Sequence, residues 1–336
     1  MSATRVVDEL NRSLHDLFDA DPAVVLLGED IRDPYGGAFG VTRGLSSRHP
    51  ERVLGTPISE AAITGIAGGL AMCGDRAIVE VMFGDFVTLC FDPIVNFITK
   101  SVAMYGRRKP MRVLIRCPVG GNRGYGPTHS QSLQKHFVGV PHLRLYELSP
   151  LHPPGRVLDE VFAGDEPAVL FEDKVLYGLP TIGHGTHDRL FEVSPVDPDG
   201  NWVRVRVDDG PADWAVIAPG GLTHRAMAAI RTALIEDEVV TELLVPSRLY
   251  PVDLAPVLDS VAAARRVMVI EDGVAGGGWA AEVSRLLYEH LWGRLPEPVR
   301  LLQPPCAVIP AAPHLERRLL IQESTIHRAL IGADHE

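Results

Sequence analysis

The sequence predicts an α/β fold: a parallel sheet covered by helices, followed by a second α/β domain. Three observations carry this. Short continuous apolar runs, bounded by turn residues, alternate with amphipathic segments, the pattern of strands buried between layers of helix. The alternation breaks over residues 178–211 and resumes at Trp214. The length of 336 residues, at about 150 residues per domain, gives two domains.

In chain order, Val6, Leu10, Leu14, Leu17 and Phe18 form a helical stripe over 5–18. AVVLLG at 23–28, between Pro22 and Glu29, reads as a buried strand. A shorter strand falls at 52–55. The Ala- and Gly-rich segment 59–74 reads as a tightly packed helix with Ser59 able to cap it, and 77–82 as the next strand. Phe86, Leu89, Cys90, Pro93, Ile94, Phe97 and Ile98 are spaced as one face of a helix. Strands are predicted at 111–116 and 168–172. The stretch 178–211 is dense in Gly, Pro and Asp, with a weak strand signal near 202–207, and reads as a linker crossing the surface. The second domain follows: WAVIAPGG from Trp214 as a strand followed by a turn, helix 223–236 with Thr223 as its cap, strand 239–245, helix 254–264, strand 266–271, helix 279–292 and strand 299–302. The predicted division is 1–177, linker 178–211, and 212–336.

Composition narrows the function. Apolar residues make up 46% and charged residues 22% of the chain, which is ordinary globular usage. A net charge of −11 leaves no electrostatic footprint for nucleic acid. Cys73, Cys90, Cys117 and Cys306 form no CxxC pair, so neither a zinc site nor a disulfide framework is indicated. The charged, amphipathic start lacks the apolar core of a secretory signal, and the uncharged stretches are too short to span a bilayer. A cytoplasmic protein is expected. The chain has no GxxxxGK[ST], no GxGxxG between strand and helix, no GxSxG and no HExxH.

Four segments carry unusual residues. Glu29 and Asp30 follow the first strand, where open sheets place ligands, ahead of the loop Tyr35-Gly36-Gly37-Ala38-Phe39. In Thr56-Pro57-Ile58-Ser59-Glu60, Glu60 falls in the first turn of an almost uncharged helix. A carboxylate suits the helix dipole there, and partial burial would raise its pKa. Met82-Phe83-Gly84-Asp85-Phe86 leads from a strand toward a helix, with an aromatic able to stack on a flat ring or to sit in the core. Finally, a glycine-rich loop over 120–131 carries His129, expected at a helix start where the dipole disfavours the imidazolium.

Read together, GED…YGGAF, TPISEA, VEVMF.DF and PVGG..GYG..HSQS resemble the β subunit of the thiamine-diphosphate-dependent decarboxylating component of 2-oxoacid dehydrogenases, the pyruvate, branched-chain and acetoin type. The similarity continues through Glu172-Asp173-Lys174, Leu176-Tyr177-Gly178, Glu271, Gly276-Gly277-Gly278 and Leu315-Glu316, and so runs over nearly the whole chain.

The resemblance implies a transketolase-like pyrimidine-binding domain followed by a smaller transketolase C-terminal-like domain. It implies that Glu60 hydrogen-bonds the aminopyrimidine ring of the cofactor and drives its imino tautomer. Phe86 would stack on that ring, with Ile58 and Met82 beside it and Glu29 also at the cofactor. His129 would stand at the substrate entrance, neutral if it hydrogen-bonds or protonated if it stabilises charge; the sequence leaves both open. The family's diphosphate and Mg²⁺ are held by a GDG motif absent here, so an α subunit would supply them in an α2β2 assembly. The chain departs from the family around Ser149-Pro150 and over 178–209, which leaves open the substrate, a K⁺ site, and the acceptor: a lipoyl acyltransferase or a carrier protein. Two alternatives stand beside the dehydrogenase, a thiamine-dependent acyl or acyloin transferase and a non-catalytic structural partner. Asp334 and Glu336 make an acidic end suited to a basic docking module.

Overall fold

The computed structural model describes residues 4–332; Asp334 and Glu336, and the docking role expected of them, lie outside the described residues. The chain forms two compact units. The first holds residues up to 120, 137–148 and 153–181; the second holds 121–136, 149–152 and 182 onward.

The first unit is built on a parallel sheet. Its strands are β1 (Val24–Gly28), β2 (Val53–Gly55), β3 (Arg76–Glu80), β4 (Val113–Val119), β5 (Arg144–Glu147) and β6 (Ala168–Asp173). They run side by side in the order β5-β6-β4-β3-β1-β2, all parallel. Every residue of β4 and of β6 is buried, as expected for central strands covered on both faces. Helix α1 (Val6–Ala20) buries Val6, Leu10, Leu14 and Phe18, a stripe with the period of an α-helix. Each such side chain contributes roughly 1.5–3 kcal/mol on burial. Leu17, the fifth residue of the predicted stripe, packs only partly buried against this core. Helix α2 (Leu45–Arg48) is one turn, and α3 (Glu60–Cys73) closes on Gly74 in the left-handed conformation.

The predicted helix through Phe86 and Ile98 differs. Residues 84–90 form 3-10 turns, Pro93–Ile98 is a π-helix, and the α-helical conformation is confined to residues 91–92 and Thr99–Ser101 (α4). Pro93 has no N–H to give, so the chain cannot propagate one register through it. The buried stripe becomes Val87, Cys90, Ile94 and Ile98, while Leu89 is exposed. Strand β5 and helix α5 (Pro154–Ala163) were not signalled by the sequence pattern.

In the second unit the strands are β7 (Gly185–His187), β8 (Phe191–Pro195), β9 (Trp202–Arg206), β10 (Trp214–Ile217), β11 (Thr241–Pro246), the short β12 (Arg248–Tyr250), β13 (Arg266–Ile270) and β14 (Arg300–Leu302). The sheet order is β14-β13-β10-β11-β9-β8-β7. Its β14, β13, β10 and β11 pairings are parallel; β9, β8 and β7 join antiparallel. Three strands of the sheet, β7, β8 and β9, therefore lie within the expected linker at 178–211. Phe191, Val193, Val203 and Val205 enter the core beside Trp214 and Ile230, and apolar side chains at alternate positions hold the strands there.

Helices α6 (Leu222–Asp237), α7 (Leu258–Ala263), α8 (Trp279–Leu291), α9 (Pro313–Leu319) and α10 (Glu323–Ile331) complete the unit. Thr223 lies inside α6 and is fully buried; Gly221 holds the cap position expected of it. Among the described residues no helix is long and apolar enough to cross a membrane.

Candidate functional site

Glu29 stands directly beyond β1 and Glu60 opens α3. Both are more than nine-tenths buried. Ser59 takes the N-cap position of α3, yet its hydroxyl makes no cap bond. Its backbone N–H donates instead to the Glu29 carboxylate, which brings the two loops together. Burial, then the neighbouring Glu60 charge, pushes the Glu29 carboxyl above the usual carboxylate range. Glu29 Oε1 is buried with no hydrogen-bond partner. Among the described residues no hydrogen bond holds the Glu60 carboxylate either. Burying two carboxylates side by side with lone pairs unused costs free energy, and such a cost is expected where a ligand supplies the missing donors.

Phe86 is tied to Glu60 through Cys90. The Cys90 thiol donates to the Glu60 carbonyl at 3.6 Å and lies 4.0 Å from the Phe86 carbonyl. Burial raises this thiol to about 11, so it stays protonated and acts as a donor. Phe86 meets Phe83 edge to face, with ring centroids 6.3 Å apart. Phe83 in turn lies under the buried Lys174 ammonium, 5.7 Å from Nζ to the ring centre. Met82 is half-buried just beyond β3, and Ile58 is 82% exposed.

Sequence reasoning missed a buried ion network across β3, β4 and β6. Arg116 on β4 makes a bidentate pair with Glu172 on β6, at 2.8 and 2.7 Å, and reaches Glu80 on β3 at 2.6 Å. Tyr177 donates to Glu172. The free oxygen of Glu80 accepts the Ala38 N–H at 2.9 Å. The loop 35–39 is thereby fastened to the sheet. Gly37 is needed there, since its φ is +75° and a Cβ would run into Glu80 Oε1. The available signal was a charge in or at the end of each of three apolar runs, Glu80, Arg116 and Glu172.

His129 belongs to the second unit. No α-helix begins there; the only regular turn nearby is a 3-10 turn at Gln134–His136. The helix start expected at His129 is therefore absent. His129 is half-buried, and its Nδ1 lies 3.0 Å from the Thr128 hydroxyl. The loop before it is held from behind. Glu316, almost fully buried on α9, accepts the N–H groups of Asn122 at 3.0 Å and Gly124 at 2.9 Å.

Elsewhere in this unit, Glu271 accepts the Ala280 N–H at 2.9 Å at the start of α8, and also a bond from Gln303. Lys135 Nζ donates to the carbonyls of Val274 and Gly276. Among the described residues no group of three His, Cys, Asp or Glu side chains is placed to hold a metal ion.

Comparison with known proteins follows this geometry. The transketolase pyrimidine-binding domain matches residues 4–178, and the transketolase C-terminal domain matches residues 204–326. The chain is 31% identical over 317 residues to the β subunit of acetoin:2,6-dichlorophenolindophenol oxidoreductase of Cupriavidus necator, covering 91% of this chain and 90% of that one. It is 32% identical over 295 residues to the β subunit of the pyruvate dehydrogenase E1 component of Leifsonia xyli, covering 88% and 84%. Among solved structures, a split-gene transketolase described as an inactive β4 tetramer superposes with a TM-score of 0.75 at 18% identity, over 98% of each chain. That last likeness is one of fold.

Proposed function

From the premise that the chain belongs to the transketolase family, as a β subunit of the pyruvate and acetoin dehydrogenase type, we propose that it holds the pyrimidine half of thiamine diphosphate in an enzyme that decarboxylates a 2-oxoacid and passes the acyl group to a lipoyl carrier. The observation that carries this reading is the pair of buried carboxylates, Glu29 with an orphan oxygen and Glu60 without a hydrogen bond, on either side of the Ser59 amide. An aminopyrimidine presents ring-nitrogen and amino positions that suit such acceptors. Bound thiamine diphosphate supplies a thiazolium ring that takes up the electron pair released when carbon dioxide leaves.

The chain's own residues do the rest. Glu60 holds a proton against the ring nitrogen, and a carboxyl is needed because an amide cannot release one. Phe86, braced by Phe83 and Lys174, covers one face of the ring and excludes water. Ile58 and Met82 add apolar walls. His129 meets the substrate carboxylate or holds a proton for acyl transfer.

The second half of the site is assigned to an α subunit, which would bring the diphosphate and most of the Mg²⁺ ligands to an α2β2 complex. A lipoyl acyltransferase or a carrier protein is the proposed acceptor. A K⁺ site is carried as a proposal to be tested by the dependence of activity on KCl.

Two measurements test the reading. Calorimetric titration of thiamine diphosphate with Mg²⁺ is expected to show binding to the α–β mixture and none to this chain alone; tight binding to the single chain would overturn the shared site. In the assembled complex, Glu60→Gln is expected to lower kcat at least 100-fold, the scale of a lost proton-transfer group. Wild-type turnover in that variant would remove Glu60 from the chemistry.

A further inference from the structure

We propose that Glu316 is a positioning residue for His129, acting as a built-in anion that moulds the glycine-rich loop. The proposal rests on the reading of His129 as the substrate-side histidine. Asn122 and Gly124 both have positive φ, +66° and +71°. Backbone N–H groups in such a turn converge on one point and form an anion-binding concavity. In this chain the concavity is filled from within. Glu316 accepts both N–H groups from a position where only 1% of its surface is exposed.

The fit is tight on the other side as well. A Cβ on Gly121 would run into Leu320 of the segment after α9 and come within 2.9 Å of Glu316 Oε1. Gln322 adds a bond from Nε2 to Asn122 Oδ1 at 2.9 Å. Gly121, Asn122 and Gly124 are thus gripped by the stretch 316–322, and farther along the loop the His129 N–H reaches back to the Gly126 carbonyl.

The chemistry requires a carboxylate. Two N–H donors need two acceptor oxygens, and a glutamine would set its own N–H₂ against one of them. Burial makes the loss expensive for the loop, which must then move until the rejected amide reaches water. The displacement is carried along the chain to His129, five residues beyond Gly124.

The test uses the α–β complex with variants Glu316→Gln, Glu316→Asp, His129→Ala and the double variant Glu316→Gln/His129→Ala. Glu316→Gln is expected to lower kcat about 100-fold, the scale of a misplacement of about 1 Å at a reacting group. Glu316→Asp, which keeps both oxygens, should restore much of it. In the His129→Ala background Glu316→Gln should add no further loss, because its effect acts through the histidine. Hydrogen exchange at the Asn122 and Gly124 amides should speed up in Glu316→Gln, a readout independent of turnover.

Wild-type kcat in Glu316→Gln, or an equal further loss on top of His129→Ala, would overturn the proposal and leave the role of His129 standing. Wild-type kcat in His129→Ala would instead overturn the role of His129, and the proposal with it. If Glu316→Gln fails to assemble, Glu316→Asp carries the same comparison: slower turnover vanishing in the His129→Ala background supports the proposal, and persistence there overturns it.

Discussion

Glu29 and Glu60 are both buried, close enough for their charges to interact, and Glu29 keeps an oxygen with no hydrogen-bond partner. The Glu29 carboxyl is raised by burial and by the charge of Glu60. A raised carboxyl binds its proton more tightly when folded. Its favourable contribution is therefore complete below its ordinary value of 4.5 and is lost as pH climbs through the folded value. Glu29→Gln should accordingly make the isolated chain more stable at pH 8 and change little at pH 4. Urea unfolding at the two pH values checks this, and a loss of stability at pH 8 would refute it. The same substitution should weaken thiamine diphosphate binding to the α–β complex, since the orphan Oε1 is the acceptor held in reserve. Stability gained and binding lost by one substitution is the signature of a functional residue kept against the interest of the fold.

Elements differ in how plainly the sequence announces them. Helix α1 and strand β1 follow directly from apolar period and boundary residues, because their faces pack on a single core, and helix α3 follows from its Ala- and Gly-rich run between Ser59 and Gly74. The strands β7 and β8 sit at one end of the sheet among Gly, Pro and Asp, so propensity argued for loop while Phe191 and Val193 were already core. The site was legible to the same extent. Glu29 and Glu60 stand out as carboxylates beside apolar elements. The Glu80–Arg116–Glu172 network did not stand out, because β6 pairs with β4 across a non-consecutive order that no local pattern shows.

Two predictions belong at this scale. Arg116 holds three strands together through two carboxylates. Arg116→Leu leaves those carboxylates buried and unpaired, and should cost about 3–5 kcal/mol in denaturant unfolding; a change below about 1 kcal/mol would refute it. In the loop after β1, Asp33 accepts four bonds, from the hydroxyls of Ser46 and Ser47 and the amides of Gly44 and Ser47. These lower its pKa, the Ser47 hydroxyl and the Gly44 amide most of all. Its contribution is present above its ordinary value of 3.8 and lost as pH falls below it. Asp33→Asn should destabilise the chain by about 2 kcal/mol at neutral pH, the scale of hydrogen bonds to a charged group, with the difference closing toward pH 2.

At the scale of the whole molecule, the two compact units are interleaved in sequence. Residues 121–136 and 149–152 belong to the second unit although they precede the end of the first. Their attachments are specific: the Glu316 carboxylate to the glycine-rich loop, Lys135 to the carbonyls of Val274 and Gly276, His152 to the Asn201 carbonyl at 3.1 Å, and Leu151 in the core with Phe191 and Trp214. A cut between 181 and 182 therefore removes part of the second unit's interior, even though it falls where the sequence pattern changes. A chain of residues 182–336 alone should expose the surface Leu151 covers and lose the acceptors' partners at Glu316. It should bind a hydrophobic dye and unfold without a sharp transition, whereas the same chain preceded by 121–152 through a flexible Gly/Ser linker should regain cooperative unfolding. Equal, sharp melting of the two would show that the borrowed segments are guests on a self-sufficient unit. The predicted difference would show instead that the loop carrying His129 is part of the fold of the second unit.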